Sequence, residues 1–215
     1  MTSIFIVDDH PVMRRGYASI IEEEMDLEVC GEAGDALEAL DKIRETDPDL
    51  VIADLTLAGS MSGLELIKML KAERPQLPIL VVSMHDESLY AERVLRAGAK
   101  GYVMKDVVDA VIVKAIRRVL RGGLYVSEEI SEKILLQYAG GHFDAEHSPL
   151  EGLSDRELEV FEHIGRGLST HQIADTMLIS PKTVDSYRAR LKEKLGIESH
   201  IELLRRATQW VEGNV

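Results

Sequence analysis

Cysteine is nearly missing from this chain of 215 residues, which carries a single one, Cys30. That excludes a disulfide framework and a cysteine-built zinc site, and it fits a reducing compartment. Long apolar runs are missing too. The longest, PILVVSM at 78–84, falls far short of the roughly 20 residues that cross a bilayer. The N-terminus MTSIFIVDDH places acids where a signal peptide needs a basic start. No internal repeat or low-complexity tract is present. At 45% hydrophobic and 29% charged residues, the chain is neither disordered nor collagen-like. These absences point to a cytoplasmic protein with no membrane partner, long enough for two small domains or one medium one.

Positive charge is also short, with a formal net charge of −13, and the deficit is uneven. Residues 1–147 carry 16 Lys+Arg against 27 Asp+Glu, net −11, whereas residues 148–215 carry 9 against 11, net −2. An acidic first part repels phosphates and argues against nucleic-acid binding there. Within the second part, Lys182, Arg188, Arg190, Lys192 and Lys194 stand against only Asp185 and Glu193. That stretch permits nucleic-acid binding, although charge alone favours a solvated helix face.

Two periodicities divide the chain. The first 120 residues alternate short Val/Ile-rich runs (3–8, 27–32, 50–54, 78–83 and 101–104) with helical patterns near 11–24, 35–45, 62–73, 87–97 and 108–121. Such runs suit strands buried on both faces. Five β–α repeats predict an α/β fold with an open, doubly wound, flavodoxin-like parallel sheet, since a closed barrel takes about eight units. A domain over 1–121 follows. Residues 122–152 read as a linker with one helix near 128–138 and a Gly-, Pro- and polar-rich stretch, AGGHFDAEHSPLEG, at 139–152. From 153 to 215 only helices are expected.

In an open parallel sheet, ligands bind at the carboxyl ends of the strands. Asp8, Asp9, Asp54, Ser83 and Lys105 all fall at such ends. Each one alone is explained as a turn former; the five together are not. Clustered carboxylates repel one another and call for a cation, and oxygen donors without Cys or His suit Mg²⁺. A carboxylate such as Asp54 can then act as a nucleophile toward a phosphoryl group, with Lys105 as a second cation and Ser83 as a hydrogen-bond donor.

The segments IFIVDDHPVMRRG, DLTL and GYVMKD make residues 1–121 resemble a response-regulator receiver domain. The resemblance implies phosphorylation of Asp54 by a sensor histidine kinase. It also implies that Asp9, Asp54 and the Thr56 carbonyl ligate Mg²⁺, with Asp8 helping through water. Ser83 and Lys105 take the family's switch-hydroxyl and lysine positions, and Tyr102 its switch aromatic, which by itself reads as ordinary half-buried strand packing. The loop after Asp54 departs from the family's D-x-x-M-P-G-x-x-G: DLTLAGSMSG lacks the proline and is one residue longer, with Gly59 and Gly63 read as keeping the turn flexible.

Four helices are expected in the last part, over 154–166, 170–178, 181–195 and about 199–212. The inward residues are Leu158, Phe161 and Ile164, then Ile173, Ala174, Met177 and Leu178, then Val184, Leu191 and Leu195, and last Ile201, Leu204, Ala207 and Val211. Helix, tight turn and basic helix is a helix-turn-helix layout, but the spacing alone leaves a plain helical bundle open. GLSTHQIADTMLISPKTVDSYRARLKEKLGI resembles the DNA-binding domain of two-component regulators of the NarL/FixJ, LuxR-type family. The resemblance implies that the 181–195 helix enters the major groove of promoter DNA. Contacts would come from Lys182, Thr183, Asp185, Ser186, Tyr187, Arg190 and Lys194. It also implies a homodimer on DNA paired through the last helix, at Ile201 and Leu204. Asp185 stands where the family often has a basic residue and Tyr187 where it often has His, so the DNA sequence does not carry over.

Three other readings compete, one of them a LuxR-type regulator that binds a small molecule and would not need the acid–Ser–Lys rim. An enzyme of the haloacid-dehalogenase type also forms an aspartyl phosphate, but it needs an acid two residues after its nucleophile, where this chain has Thr56. The expectation is therefore a transcription regulator and not an enzyme. A LuxR-type regulator acting without phosphorylation is the alternative that the altered loop keeps open.

Overall fold

A computed structural model of the protein describes residues 1–59, 61–138 and 149–213, so most of the linker stretch expected to be exposed at 139–152, residues 139–148, lies outside the described residues. The chain divides into two compact units, Met1–His142 and Phe143–Val215. In the first unit, strands β1 (Thr2–Val7), β2 (Leu27–Ala33), β3 (Leu50–Ala53), β4 (Ile79–Ser83) and β5 (Gly101–Met104) alternate with helices. These are α1 (Pro11–Glu22), α2 (Ala36–Thr46), α3 (Gly63–Glu73), α4 (Glu87–Arg96) and α5 (Val108–Leu120). The sheet is parallel throughout, in the order β2-β1-β3-β4-β5. The order reverses beside β1, as a doubly wound fold requires.

The strands form where Val and Ile concentrate because both faces of the central sheet are covered. β3 and β4 are buried along their whole length. β2 differs from the expectation: its middle residues, Cys30 included, are half-buried or exposed. The reason is its place at the edge of the sheet, where one flank lacks a neighbour. A bulge between Ile4 and Phe5 shifts its register against β1, and a side chain at Gly31 would meet the Phe5 ring at 2.6 Å.

Local chemistry ends and starts the helices. Asp35 caps α2 by accepting from the Leu37 and Glu38 amides, and Ser62 and Glu65 form a capping box on α3. Helix α6 (Glu128–Tyr138) forms where expected and packs with the first unit against α4. Ser127 N donates to Glu87 Oε1 at 2.8 Å, and Tyr102 N donates to the Tyr125 carbonyl at 2.7 Å on the outer edge of β5.

The second unit holds α7 (Asp155–Gly165), α8 (Thr170–Thr176), α9 (Pro181–Leu195) and α10 (His200–Gly213), after a short 3-10 turn at Pro149–Gly152. Phe161 on α7 meets Trp210 on α10 with ring centroids 5.9 Å apart. Gly165 lets the two helices cross closely, since a Cβ there would stand 2.4 Å from the Ala207 carbonyl. Two expected inward faces are corrected. Leu178 is 60% exposed, because the turn after α8 puts it in the left-handed region at φ 51°. On α10 the packed residues are Leu203 and Ala207, while Ile201 and Leu204 are 78% and 39% exposed. Among the described residues no helix is long and apolar enough to cross a membrane.

Candidate functional site

The five side chains expected at strand ends converge. Asp8 and Asp54 follow β1 and β3 directly, Ser83 closes β4, and Lys105 follows β5. Parallel strands of matched register bring these ends to one rim. Lys105 Nζ lies 2.6 Å from Asp8 Oδ2 and 2.7 Å from Asp54 Oδ2. Asp8 is 1% exposed and Asp54 is 3% exposed, with Ser83 fully buried beside them.

The backbone holds these groups in place. Asp54 N donates to the Val7 carbonyl at 2.8 Å, and the Leu55 amide donates to Asp54 Oδ1 at 2.6 Å. His10 N donates to Asp8 Oδ1 at 2.8 Å, and Arg14 Nη1 donates to the Asp8 carbonyl at 2.7 Å while its Nε bonds Glu32. Gly63 has a different part from the flexibility expected of it. It is buried at the start of α3, its amide donates to the Leu55 carbonyl at 2.9 Å, and a Cβ there would lie 1.9 Å from the Asp54 carbonyl. Only glycine lets α3 come this close to the Asp54 peptide.

Burial pushes the Asp54 carboxyl above the usual carboxylate range, and Lys105 opposes that push without cancelling it. Burial also disfavours the Lys105 ammonium, but Asp54 and Asp8 outweigh it and hold its pKa above the ordinary lysine value. One lysine thus faces several carboxylates. Donor oxygens of Asp8, Asp9 and Asp54, with a ring nitrogen of His10, all lie within 4.8 Å of one another. This donor set fits a small divalent cation, which would supply charge that Lys105 alone does not.

Two histidines given no role in the sequence join the rim. His10 Nδ1 lies 2.6 Å from Asp9 Oδ1. His85 Nε2 lies 2.9 Å from Thr56 Oγ1, its ring stacks on Tyr90, and its carbonyl accepts from the Tyr102 hydroxyl at 2.7 Å. Tyr102 is 1% exposed, more deeply set than half-buried strand packing implies, and burial raises its pKa well above the usual value. The adjacency of Asp9 to His10 was a signal in the sequence for the first histidine. For His85 there was none, because it meets Thr56 across two loops.

In the second unit, α8 and α9 meet through a tight turn. Ser180 caps α9, Pro181 fills its first turn, and Gly196 ends it in the left-handed region. Val184, Leu191 and Leu195 pack inward. Lys182, Asp185 and Arg190 project into solvent. The other expected contacts have partners within the domain. The Thr183 hydroxyl meets Ser180 Oγ at 2.7 Å, and Ser186 Oγ donates to the Lys182 carbonyl at 3.0 Å. Tyr187 is half-buried with the Arg190 guanidinium over its ring. Lys194 Nζ lies 2.7 Å from Glu157 Oε2 on α7, and Glu157 is 3% exposed. Burial disfavours the Glu157 carboxylate, yet Lys194 and the Ser154 amide outweigh it and hold its pKa below the ordinary value.

Residues 4–117 match the response regulator receiver domain family, and residues 151–207 match the bacterial regulatory proteins of the luxR family. The chain is similar to the oxygen regulatory protein NreC of Staphylococcus carnosus (strain TM300), at 33% identity over 94% of each chain. It is similar to the transcriptional activator protein ExaE of Pseudomonas putida, at 39% identity over 96% of this chain and 95% of that one. Among solved structures it resembles RcsB from Salmonella enterica serovar Typhimurium, solved bound to promoter rprA with a phosphomimetic, with a TM-score of 0.68 and 26% identity over 97% of this chain and 99% of that one. A receiver-type rim in one unit and a LuxR-type helical domain in the other, matched along nearly the whole length, place this chain in the response-regulator family.

Proposed function

We propose that Asp54 takes a phosphoryl group from a sensor histidine kinase and that this event controls sequence-specific promoter binding by α9. The observation that carries the reading is Lys105 Nζ, held between Asp54 and Asp8 at 2.7 and 2.6 Å on the carboxyl-end rim. An Asp54 carboxylate oxygen forms an O–P bond as the P–N bond of a phosphohistidine breaks. The departing imidazole keeps the electron pair and takes a proton from solvent. Asp8, Asp9, Asp54 and the Thr56 carbonyl would hold Mg²⁺, which when bound supplies charge to the transferring oxygens. Lys105 then pairs with the phosphoryl group, and Ser83 donates a hydrogen bond to it. Tyr102, whose hydroxyl already holds the His85 carbonyl, follows the loop that bears Ser83.

Lys182, Asp185 and Arg190, exposed on α9 with Arg190 lying over the Tyr187 ring, would face a major groove, and the exposed Ile201 and Leu204 would pair two protomers on DNA. The protein then acts in the cytoplasm as a transcription regulator and not as an enzyme. The test is labelling with acetyl phosphate and Mg²⁺, alongside binding to genomic DNA fragments. Wild type should incorporate phosphate and change its DNA affinity, and Asp54→Asn should do neither. No label on either protein would favour a regulator that works without phosphorylation.

A further inference from the structure

We propose that His10 turns the acidic rim into a mixed nitrogen–oxygen site, which takes a late first-row divalent ion such as Ni²⁺ or Zn²⁺ more tightly than Mg²⁺. The inference rests on the reading that Asp8, Asp9 and Asp54 hold a divalent cation, and it adds a ligand of different chemistry. His10 Nδ1 lies 2.6 Å from Asp9 Oδ1 and 3.5 Å from Asp8 Oδ1. Two donors bound side by side to one octahedral ion, with bonds of about 2.1 Å at right angles, stand about 3 Å apart. The observed spacings bracket that value. The imidazole therefore sits where a ligand neighbouring both carboxylates belongs.

The backbone keeps it there. His10 is the N-cap residue of α1, with Pro11 next in the chain. Its amide is bonded to Asp8 Oδ1, and its carbonyl accepts from the Met13 and Arg14 amides at 3.0 and 3.2 Å. Arg14 in turn holds the Asp8 carbonyl. The ring itself is 64% exposed, so water can fill the remaining coordination positions on that side. Carboxylates and water suit Mg²⁺, which binds imidazole poorly. Imidazole favours Ni²⁺, Cu²⁺ and Zn²⁺, and late divalents bind mixed N/O sites more tightly in any case. The rival role for the same geometry is a positioning one, in which Nδ1–H donates to Asp9 and orients it toward an all-oxygen site.

Calorimetric titration of the full chain with Ni²⁺ alone and with Mg²⁺ alone separates the two roles. Wild type, His10→Gln and Asp9→Asn are compared, with melting curves to show that each variant is folded. In His10→Gln, Ni²⁺ affinity should fall by about tenfold or more while Mg²⁺ affinity falls less than about threefold. Asp9→Asn should weaken both ions. An equal fall for both ions in His10→Gln would overturn the proposal in favour of the positioning role. Ni²⁺ binding that survives Asp9→Asn would also overturn it, since the ion would then sit elsewhere. If wild type binds neither ion, the cation reading of the rim fails together with it. If Mg²⁺ binds but Ni²⁺ binds no more tightly, only the part assigned to His10 fails.

Discussion

The rim around Asp54 and the outer face of α9 are both charged, but they are built in opposite ways. At the rim the central charges, Asp8, Asp54 and Lys105, are out of water and tied to one another. Asp8 and Asp54 are almost fully buried and share one lysine, and the peptide of Asp54 is bonded to Val7 behind it. On α9, Lys182, Asp185 and Arg190 stand in solvent, and only Lys194 is bound to a buried partner. The difference follows from what each surface has to meet. Charge developing on a transferring group is best met by groups already fixed in a dry site. Phosphates and base edges are best met by charges that remain free until the partner arrives.

Substitutions should therefore damage stability at the rim and spare it on α9. The largest effect is expected for Lys105→Met, which strands two buried carboxylates. Its receiver transition in urea should lose about 3 kcal/mol at pH 7. Burial already holds the Asp54 pKa high, and losing Lys105 raises it further. Ionising Asp54 then opposes folding, so the deficit should be full above that raised pKa and shrink as pH falls through it.

Gly63→Ala comes next, at about 2 kcal/mol, because its Cβ collides with backbone and not with a side chain that can swing away. Unlike an ordinary overpacked core position, it should also reduce phosphoryl incorporation, since the peptide it displaces carries Asp54.

Lys194→Ala tests the exception on α9. It leaves Glu157 buried without its cation and should cost about 1–2 kcal/mol in the unfolding of the second unit. The Glu157 pKa is depressed in the fold. The pair therefore stabilises at pH values above the unfolded pKa of about 4.3, and its contribution is lost as pH falls through the depressed value. The gap between wild type and variant should close in acid.

The smallest stability change, within about 0.5 kcal/mol, is expected for Arg190→Ala, an exposed position. There the readout is DNA: affinity should drop, and the slope of log K against log salt should lessen by about one. A stability loss for Arg190→Ala as large as that for Lys105→Met would break the contrast between the two surfaces.

Much of the rim was legible because strand ends are legible. Val/Ile runs show where β1, β3, β4 and β5 stop, and parallel topology then requires the residues that follow to share one edge. The N-caps that the structure shows at Asp35, Ser62 and Ser180 are local too, each side chain accepting from an amide two or three residues on. The positions that escaped are those whose partners lie far along the chain. His85 meets Thr56 across 29 residues, and Lys194 meets Glu157 across 37. Gly63 reads as a turn former until α3 is seen pressed against the Asp54 peptide. Leu178 and Ile201 read as core because apolar spacing marks a face without saying what covers it.

By itself the sequence determined the alternation of strands and helices, the acids at the strand ends, and the division into an acidic α/β part and a helical part. These depend on periodicity, propensity and net charge, which act locally or add up along the chain. Only the tertiary structure decided how Lys105 divides between two carboxylates, that His85 stands at the rim, and that Gly31, Gly63 and Gly165 are places of close approach. It also decided which face of α10 is covered. Each of these depends on atoms brought within a few ångströms by packing, and packing is a property of the whole fold.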